Sequence, residues 1–126
     1  MGLDRDFDRV FDPSTLHRLI DDTDSRSFVL DLVGTYRRML QPRIERIADR
    51  VAAVDVEDAL DAARSLRGSS LMIGAFELAG LAARIERALH DLDLPAARAG
   101  VAPLSAAAAR ADEALSEFVS HVGSRS

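Results

Sequence analysis

The sequence has no cysteine, no tryptophan and no lysine, and its aromatic side chains are few: one tyrosine and five phenylalanines in 126 residues. Without cysteine, neither a disulfide framework nor a thiolate metal site can form, which suits a reducing compartment such as the cytoplasm. The three histidines are scattered along the chain and lack the spacing of a metal site. We therefore expect neither a metal nor another cofactor.

Positive charge and long apolar runs are also scarce. Sixteen basic residues, all of them arginine, stand against 21 acidic ones, for a formal net charge of −5. Nucleic acids and anionic membranes attract basic surfaces, so neither is expected as a partner. No stretch reaches the roughly 18 apolar residues of a membrane span, and the acidic N-terminus does not resemble a signal peptide. These features predict a cytoplasmic protein, which we expect to be monomeric.

Helix signals dominate what is present. Alanine, leucine, arginine and glutamate are abundant, and no run alternates between apolar and polar residues as a strand does. Asp12 and Pro13 are typical of the cap and first turn of a short helix. A second helix is predicted over about 24–53, with a kink or a short break at Pro42, which cannot donate the helical hydrogen bond.

Three further helices follow. Asp55 is suited to cap the third helix, and Gly74 to end it. The fourth is expected over about 75–91, and the fifth from Pro95, with a disturbance around 100–103. Apolar residues then repeat in steps of four and three, which is the seam of a left-handed bundle: Leu104, Ala108, Ala111, Leu115, Phe118 and Val122.

Short connections make neighbouring helices antiparallel. The sequence therefore predicts an all-α protein, an up-and-down antiparallel four-helix bundle with a short additional N-terminal helix. Residues 12–122 would form the bundle, with tails at 1–11 and 123–126.

One segment carries a more specific signal. Residues 62–70, followed by a Gly-Ala pair, resemble the phosphorylation motif of histidine-phosphotransfer (HPt) domains. That motif reads Ala, His, any residue, Leu, Lys, Gly, Ser and then Ser or Ala, with Gly-Ala at the start of the next helix. The matching residues are Leu66, Gly68, Ser69, Gly74 and Ala75.

The departures and one further match complete the resemblance. Arg67 replaces the family's lysine with its charge kept, and Arg64 stands where the phosphoaccepting histidine is expected. Ile85-Glu86 resembles a Leu-Glu pair in the family's following helix. In such domains the histidine attacks a phospho-aspartate of a receiver domain, the cation three residues later neutralises phosphoryl oxygens, and the glycine lets the receiver approach.

The chemistry of Arg64 changes the expected function. A guanidinium remains protonated and has no free lone pair with which to attack phosphorus, but it forms bidentate hydrogen bonds with carboxylates. The resemblance thus implies a non-enzymatic, pseudo-phosphotransfer protein that binds the receiver domain of a response regulator, or a hybrid histidine kinase, without accepting phosphate. The predicted docking residues are Leu60, Asp61, Arg64, Arg67, Gly68 and Leu71.

Plainer interpretations exist for the same residues. Arg64 could pair with Asp61 one turn away on an ordinary helix surface. Gly68 could allow a close helix crossing, and Leu71 and Met72 could belong to the core.

At the level of function, three alternatives stay open. The protein could be an active phosphocarrier that uses His17, His90 or His121, although each is more typical of a surface histidine. It could be a structural or dimerisation bundle without a receiver partner. Arg64 could also be a substitution in an otherwise active family member.

Overall fold

A computed structural model describes residues 9–123, and six helices occupy most of that range. Of the tails predicted at 1–11 and 123–126, residues 1–8 and 124–126 lie outside the described residues, and Gly123 is the last residue of the final helix. We label the helices α1 (Pro13–Thr23), α2 (Arg26–Ala52), α3 (Val56–Ile73), α4 (Phe76–His90), α5 (Leu94–Val101) and α6 (Leu104–Gly123).

Four long helices form the bundle. In order, α2 packs against α3, α3 against α4, α4 against α6, and α6 against α2. The short helix α1 covers α2 and α3, and α5 lies against α4 and α2. The predicted all-α bundle with an additional N-terminal helix is therefore confirmed. The core draws on every helix, and its largest fully buried side chains are Leu16, Ile47, Leu66, Ile73, Leu78, Ile85, Leu89, Leu104 and Leu115.

Local signals set the helix ends. The Asp12 side chain accepts a hydrogen bond from the Ser14 amide, and the Asp55 side chain accepts one from the Asp58 amide, so both predicted N-caps are formed. The Ser14 hydrogen bonds also lower the pKa of Asp12. Gly74 ends α3 with φ of 93°, a left-handed conformation that glycine adopts without steric cost.

Two expectations about prolines need correction. The short break considered at Pro42 does not occur, because α2 runs unbroken across it. Leu40 and Ile44 are buried on either side, and this packing outweighs the lost hydrogen bond. The predicted fifth helix is instead two helices, α5 and α6. The break at residues 102–103 lies within the disturbance expected over 100–103 and includes Pro103, whose ring cannot continue the hydrogen-bond ladder.

A buried polar contact joins α2 to α3. The Tyr36 hydroxyl lies 2.6 Å from Ser70 Oγ, and both residues are buried. Burial raises the pKa of Tyr36 to about 12. Ser70 is therefore part of the core, where it holds α3 against α2.

Tyr36 predicts a specific alkaline destabilisation. The chain has no lysine or cysteine and a single tyrosine, so no other side chain is expected to titrate between about pH 9 and 12. In the unfolded chain this phenol ionises near pH 10, whereas the folded protein retains the proton until about 12. The unfolding free energy should thus be constant up to about pH 9.5 and fall by about 2 kcal/mol towards pH 12.

Urea unfolding followed by circular dichroism across this pH range measures the effect. Tyr36→Phe is the control. It should lower stability at neutral pH by about 1 kcal/mol, because Ser70 loses its partner, and should flatten the alkaline slope. An equal alkaline slope in both proteins would contradict the assignment.

None of the helices in the described part of the chain has the length and hydropathy that crossing a bilayer requires. Over the same residues, no group of three or more histidine, aspartate or glutamate side chains is arranged to hold a metal ion.

Candidate docking face on helix α3

The outward side of α3 presents a continuous exposed stripe. Asp61, Arg64, Gly68 and Leu71 follow one another at steps of three and four residues, and all four are exposed. The opposite side of the helix buries Ala59, Ala63 and Leu66 in the core. The amphipathic pattern of α3 therefore fixes which side chains face outward, and Arg64 lies at mid-helix on that side.

Two arginines of α3 converge on one carboxylate of α4. Arg67 contacts both oxygens of Glu86, through Nε to Oε2 and through Nη2 to Oε1 at 3.3 Å. Arg64 Nε lies 3.5 Å from Glu86 Oε1. The Glu86 side chain is only 11 % exposed, whereas that of Arg64 is 51 % exposed. Glu86 therefore neutralises Arg67 within the fold and leaves Arg64 only loosely held.

Arg64 also reaches the end of α4. Its Nη2 lies 3.3 Å from His90 Nε2. A guanidinium can only donate, so a hydrogen bond between these two atoms requires His90 Nε2 as the acceptor. His90 thus contacts the predicted site, whereas the ring of His17 packs at a tilt against that of Phe118, with the ring centroids 5.3 Å apart.

The ion pair considered between Arg64 and Asp61 does not form in the described structure. Within residues 9–123, Arg64 pairs with Glu86 and contacts His90 but forms no ion pair with Asp61. Leu71 and Met72 are not in the core either, since they are 37 % and 54 % exposed. They form an apolar rim at the C-terminal end of the stripe.

Leu60 differs from the other predicted docking residues. It is partly buried and packs against the core, although it also lines a shallow depression with Asp61 and Arg64. Its contribution to a docking surface is therefore limited to one edge of the side chain.

The edge of α3 that faces α2 is also held by an arginine. Arg43 Nη1 of α2 donates to Ser69 Oγ at 2.5 Å and to the Ser65 carbonyl oxygen at 3.4 Å. Ser69 is thus a contact between helices. With Glu86 on one edge and Arg43 on the other, the exposed stripe lies on a helix fixed from both sides.

Gly68 is not required by internal packing. A Cβ built at this position would meet nothing within 4 Å, so the close-crossing interpretation is wrong. A glycine in an exposed helix interior lowers stability relative to alanine by roughly 0.5–1 kcal/mol. The fold therefore carries an avoidable cost at the centre of the candidate face, which favours a role in partner access.

Gly68→Ala is accordingly expected to stabilise the protein. The unfolding free energy should rise by roughly 0.5–1 kcal/mol, because the helix gains propensity and no clash is created. Chemical denaturation at neutral pH measures this. An unchanged or lowered stability would show that the glycine is needed by the fold.

Sequence reasoning missed three parts of this site. The family resemblance includes Glu86, but no pattern in the chain indicates that this side chain contacts Arg64 and Arg67. Arg43 and His90 lie 21 residues before and 26 residues after Arg64, and their contacts depend on how α2 and α4 are rotated against α3. Local periodicity does not give that rotation.

Comparison with known families decides the identity. The model of the Hpt domain family matches residues 31–121, which begin in α2 and end in α6. The chain belongs to the Hpt domain family. Neither a curated protein nor a solved structure gives a significant match.

The match covers the entire candidate face of this Hpt domain. Hpt domains work in phosphorelays and typically interact with receiver domains and hybrid kinases. The stripe from Asp61 to Leu71 and the arginine contacts with Glu86 all fall within the matched residues. The family assignment thus gives this domain a class of partner.

Proposed function

We propose that this Hpt domain binds a receiver domain without accepting phosphate, with Arg64 occupying the phosphoacceptor position. It would act as an adaptor or as a competitor of an active relay partner, and it would not be an enzyme. The observation that carries the proposal is the placement of Arg64, a side chain 51 % exposed at mid-helix on the outward side of α3.

The surroundings of Arg64 support the same function. Its guanidinium offers hydrogen-bond donors and a permanent charge to carboxylates, but no electron pair to phosphorus. Gly68 leaves open space one turn further along the helix, and Leu71 and Met72 provide apolar contact area beyond it. Charge, access and apolar area thus occur together on one fixed helix.

Binding to receiver domains of the source organism tests the proposal. Isothermal titration calorimetry should find at least one receiver that binds in the micromolar range, as transient signalling contacts do. After incubation with that receiver in phosphorylated form, the Hpt domain should carry no acid-labile phosphate. The absence of binding to every receiver at high micromolar concentration would overturn the proposal.

A matched pair of variants locates the interface. Gly68→Gln should weaken binding at least about tenfold, because the new side chain fills the space that the receiver must enter. Ala109→Gln adds the same side chain to an exposed position of α6, across the bundle from α3, and should leave binding unchanged. Equal effects of the two substitutions would place the interface elsewhere.

One observation favours a second candidate, a phosphocarrier that uses His90. This histidine contacts Arg64, and its Nε2 has the lone pair that phosphorylation requires. Against it, that lone pair already accepts a hydrogen bond from the guanidinium. If the unsubstituted protein acquires acid-labile phosphate and His90→Gln does not, the protein is a phosphocarrier and the proposal of binding without phosphate transfer fails.

A further inference from the structure

In the cluster of Arg64, Arg67 and Glu86, the one carboxylate balances the charge of Arg67 more closely than that of Arg64. Its formal charge is +1, since two guanidinium groups share one carboxylate. Arg67 engages both oxygens of Glu86, and Arg64 approaches only one of them, at 3.5 Å. Among these three residues the uncompensated charge therefore lies on Arg64, at the surface, beside a depression that Glu57, Asp58 and Asp61 also line.

Arg64 also has donors to spare. Its Nη1 has no hydrogen-bond partner among residues 9–123, and its Nη2 is shared with an exposed histidine ring. Next to it, the missing side chain of Gly68 leaves the approach open. An anion carried by a partner can thus reach this guanidinium without displacing any core residue.

The fold already supplies a carboxylate to this cluster. A second planar carboxylate, arriving with a receiver, would offer Arg64 only what Glu86 offers. A phosphoryl group differs in two ways, because it has about twice the charge and presents three acceptor oxygens in a tetrahedral arrangement. Its Coulomb attraction to Arg64 is accordingly about twice as large at the same distance.

We infer that this cluster selects the phosphorylated state of the receiver, with Arg64 binding the phosphoryl group of the aspartyl phosphate. The inference rests on the function proposed above and adds the state of the partner. No covalent bond forms or breaks at Arg64, so the phosphoryl group remains on the receiver aspartate. The protein would then retain activated receivers more tightly than inactive ones.

The test compares one receiver in two states. A receiver domain that binds this Hpt domain is titrated with and without beryllium trifluoride on its acceptor aspartate, a stable stand-in for the phosphoryl group. The Kd should be at least about tenfold lower for the beryllium trifluoride form. Arg64→Gln should abolish this difference in Kd, because it weakens binding of the beryllium trifluoride form. Arg67 still pairs with Glu86 in this variant.

Arg84→Gln is the matched control. Arg84 is an exposed arginine of α4, two positions before Glu86 and so about 200° around the helix from it. This substitution removes the same charge from the chain and should leave the preference intact. Loss of the preference in Arg84→Gln would indicate a general charge effect and overturn the assignment to Arg64.

The remaining outcomes separate the inference from the proposed function. Equal affinity for both states, or a preference for the unmodified receiver, overturns the inference and leaves receiver binding established. A preference that survives Arg64→Gln also overturns it. Binding of neither form means that the proposed function itself has failed.

Discussion

Arg64→His is expected to convert this Hpt domain into a phosphate acceptor. A neutral imidazole near pH 7 has the electron pair that arginine lacks, and α3 would present it at mid-helix on the exposed side, beside Arg67 and Gly68. Loss of a nucleophile can lower the rate of an enzyme by on the order of 10⁶-fold. Its introduction here should raise phosphotransfer from a phosphorylated receiver by at least roughly 10³-fold.

This gain is measured as acid-labile phosphate on the variant. Intact-mass measurement detects the phosphate on the variant, and the receiver loses its phosphate at the same time. Arg64→Gln is the control, since it removes the same charge without supplying a nucleophile. If Arg64→His binds the receiver as tightly as the unchanged protein but takes up no phosphate, position 64 does not face the acyl phosphate, and its assignment as the phosphoacceptor position is wrong.

Gly74→Ala is expected to cause a large loss of stability. Gly74 has φ of 93°, where an alanine is strained, and a Cβ there would lie 2.8 Å from the Asp12 carbonyl oxygen and 2.9 Å from Thr15 Cβ. The backbone at this turn also accepts a hydrogen bond from the Asp12 amide, at 3.0 Å from the Gly74 oxygen. Strain and overpacking together should cost about 3 kcal/mol.

Thermal unfolding provides the measurement, with a decrease in Tm of roughly 10 °C expected. Gly68→Ala makes the same chemical change six residues earlier on α3 and should act in the opposite direction, since the space around Gly68 is empty. A matched loss of stability in both variants would mean that helix α3 tolerates no added methyl group, whatever its surroundings.

The features that could be predicted from the sequence are those with local causes. Asp12, Asp55 and Gly74 mark helix ends through hydrogen bonds or backbone angles within a few residues, and the structure confirms each of them. The helical repeat likewise places Arg64 and Gly68 one turn apart on the same side of α3, and both are exposed there. Membership of the Hpt family could be recognised from the sequence because the family motif combines a fixed spacing with an unusual mid-helix glycine.

The features that could not be predicted depend on packing between distant segments. Because proline cannot donate the helical hydrogen bond, a kink or short break was expected at Pro42, but the buried residues on both sides keep α2 continuous. The convergence of two arginines on Glu86 requires the rotation of α4 relative to α3, and no spacing within either helix encodes it. The chemical surroundings of the candidate site were therefore less predictable than its location.

The contact between Tyr36 and Ser70 has a practical consequence. The chain has no tryptophan and one tyrosine, so Tyr36 dominates its intrinsic fluorescence. This fluorophore is buried behind the outward stripe of α3, and its hydroxyl touches a residue two positions beyond Gly68. A movement of α3 when a receiver binds would change the environment of Tyr36 and hence its fluorescence emission. Partner binding could therefore be followed by tyrosine fluorescence without an added label.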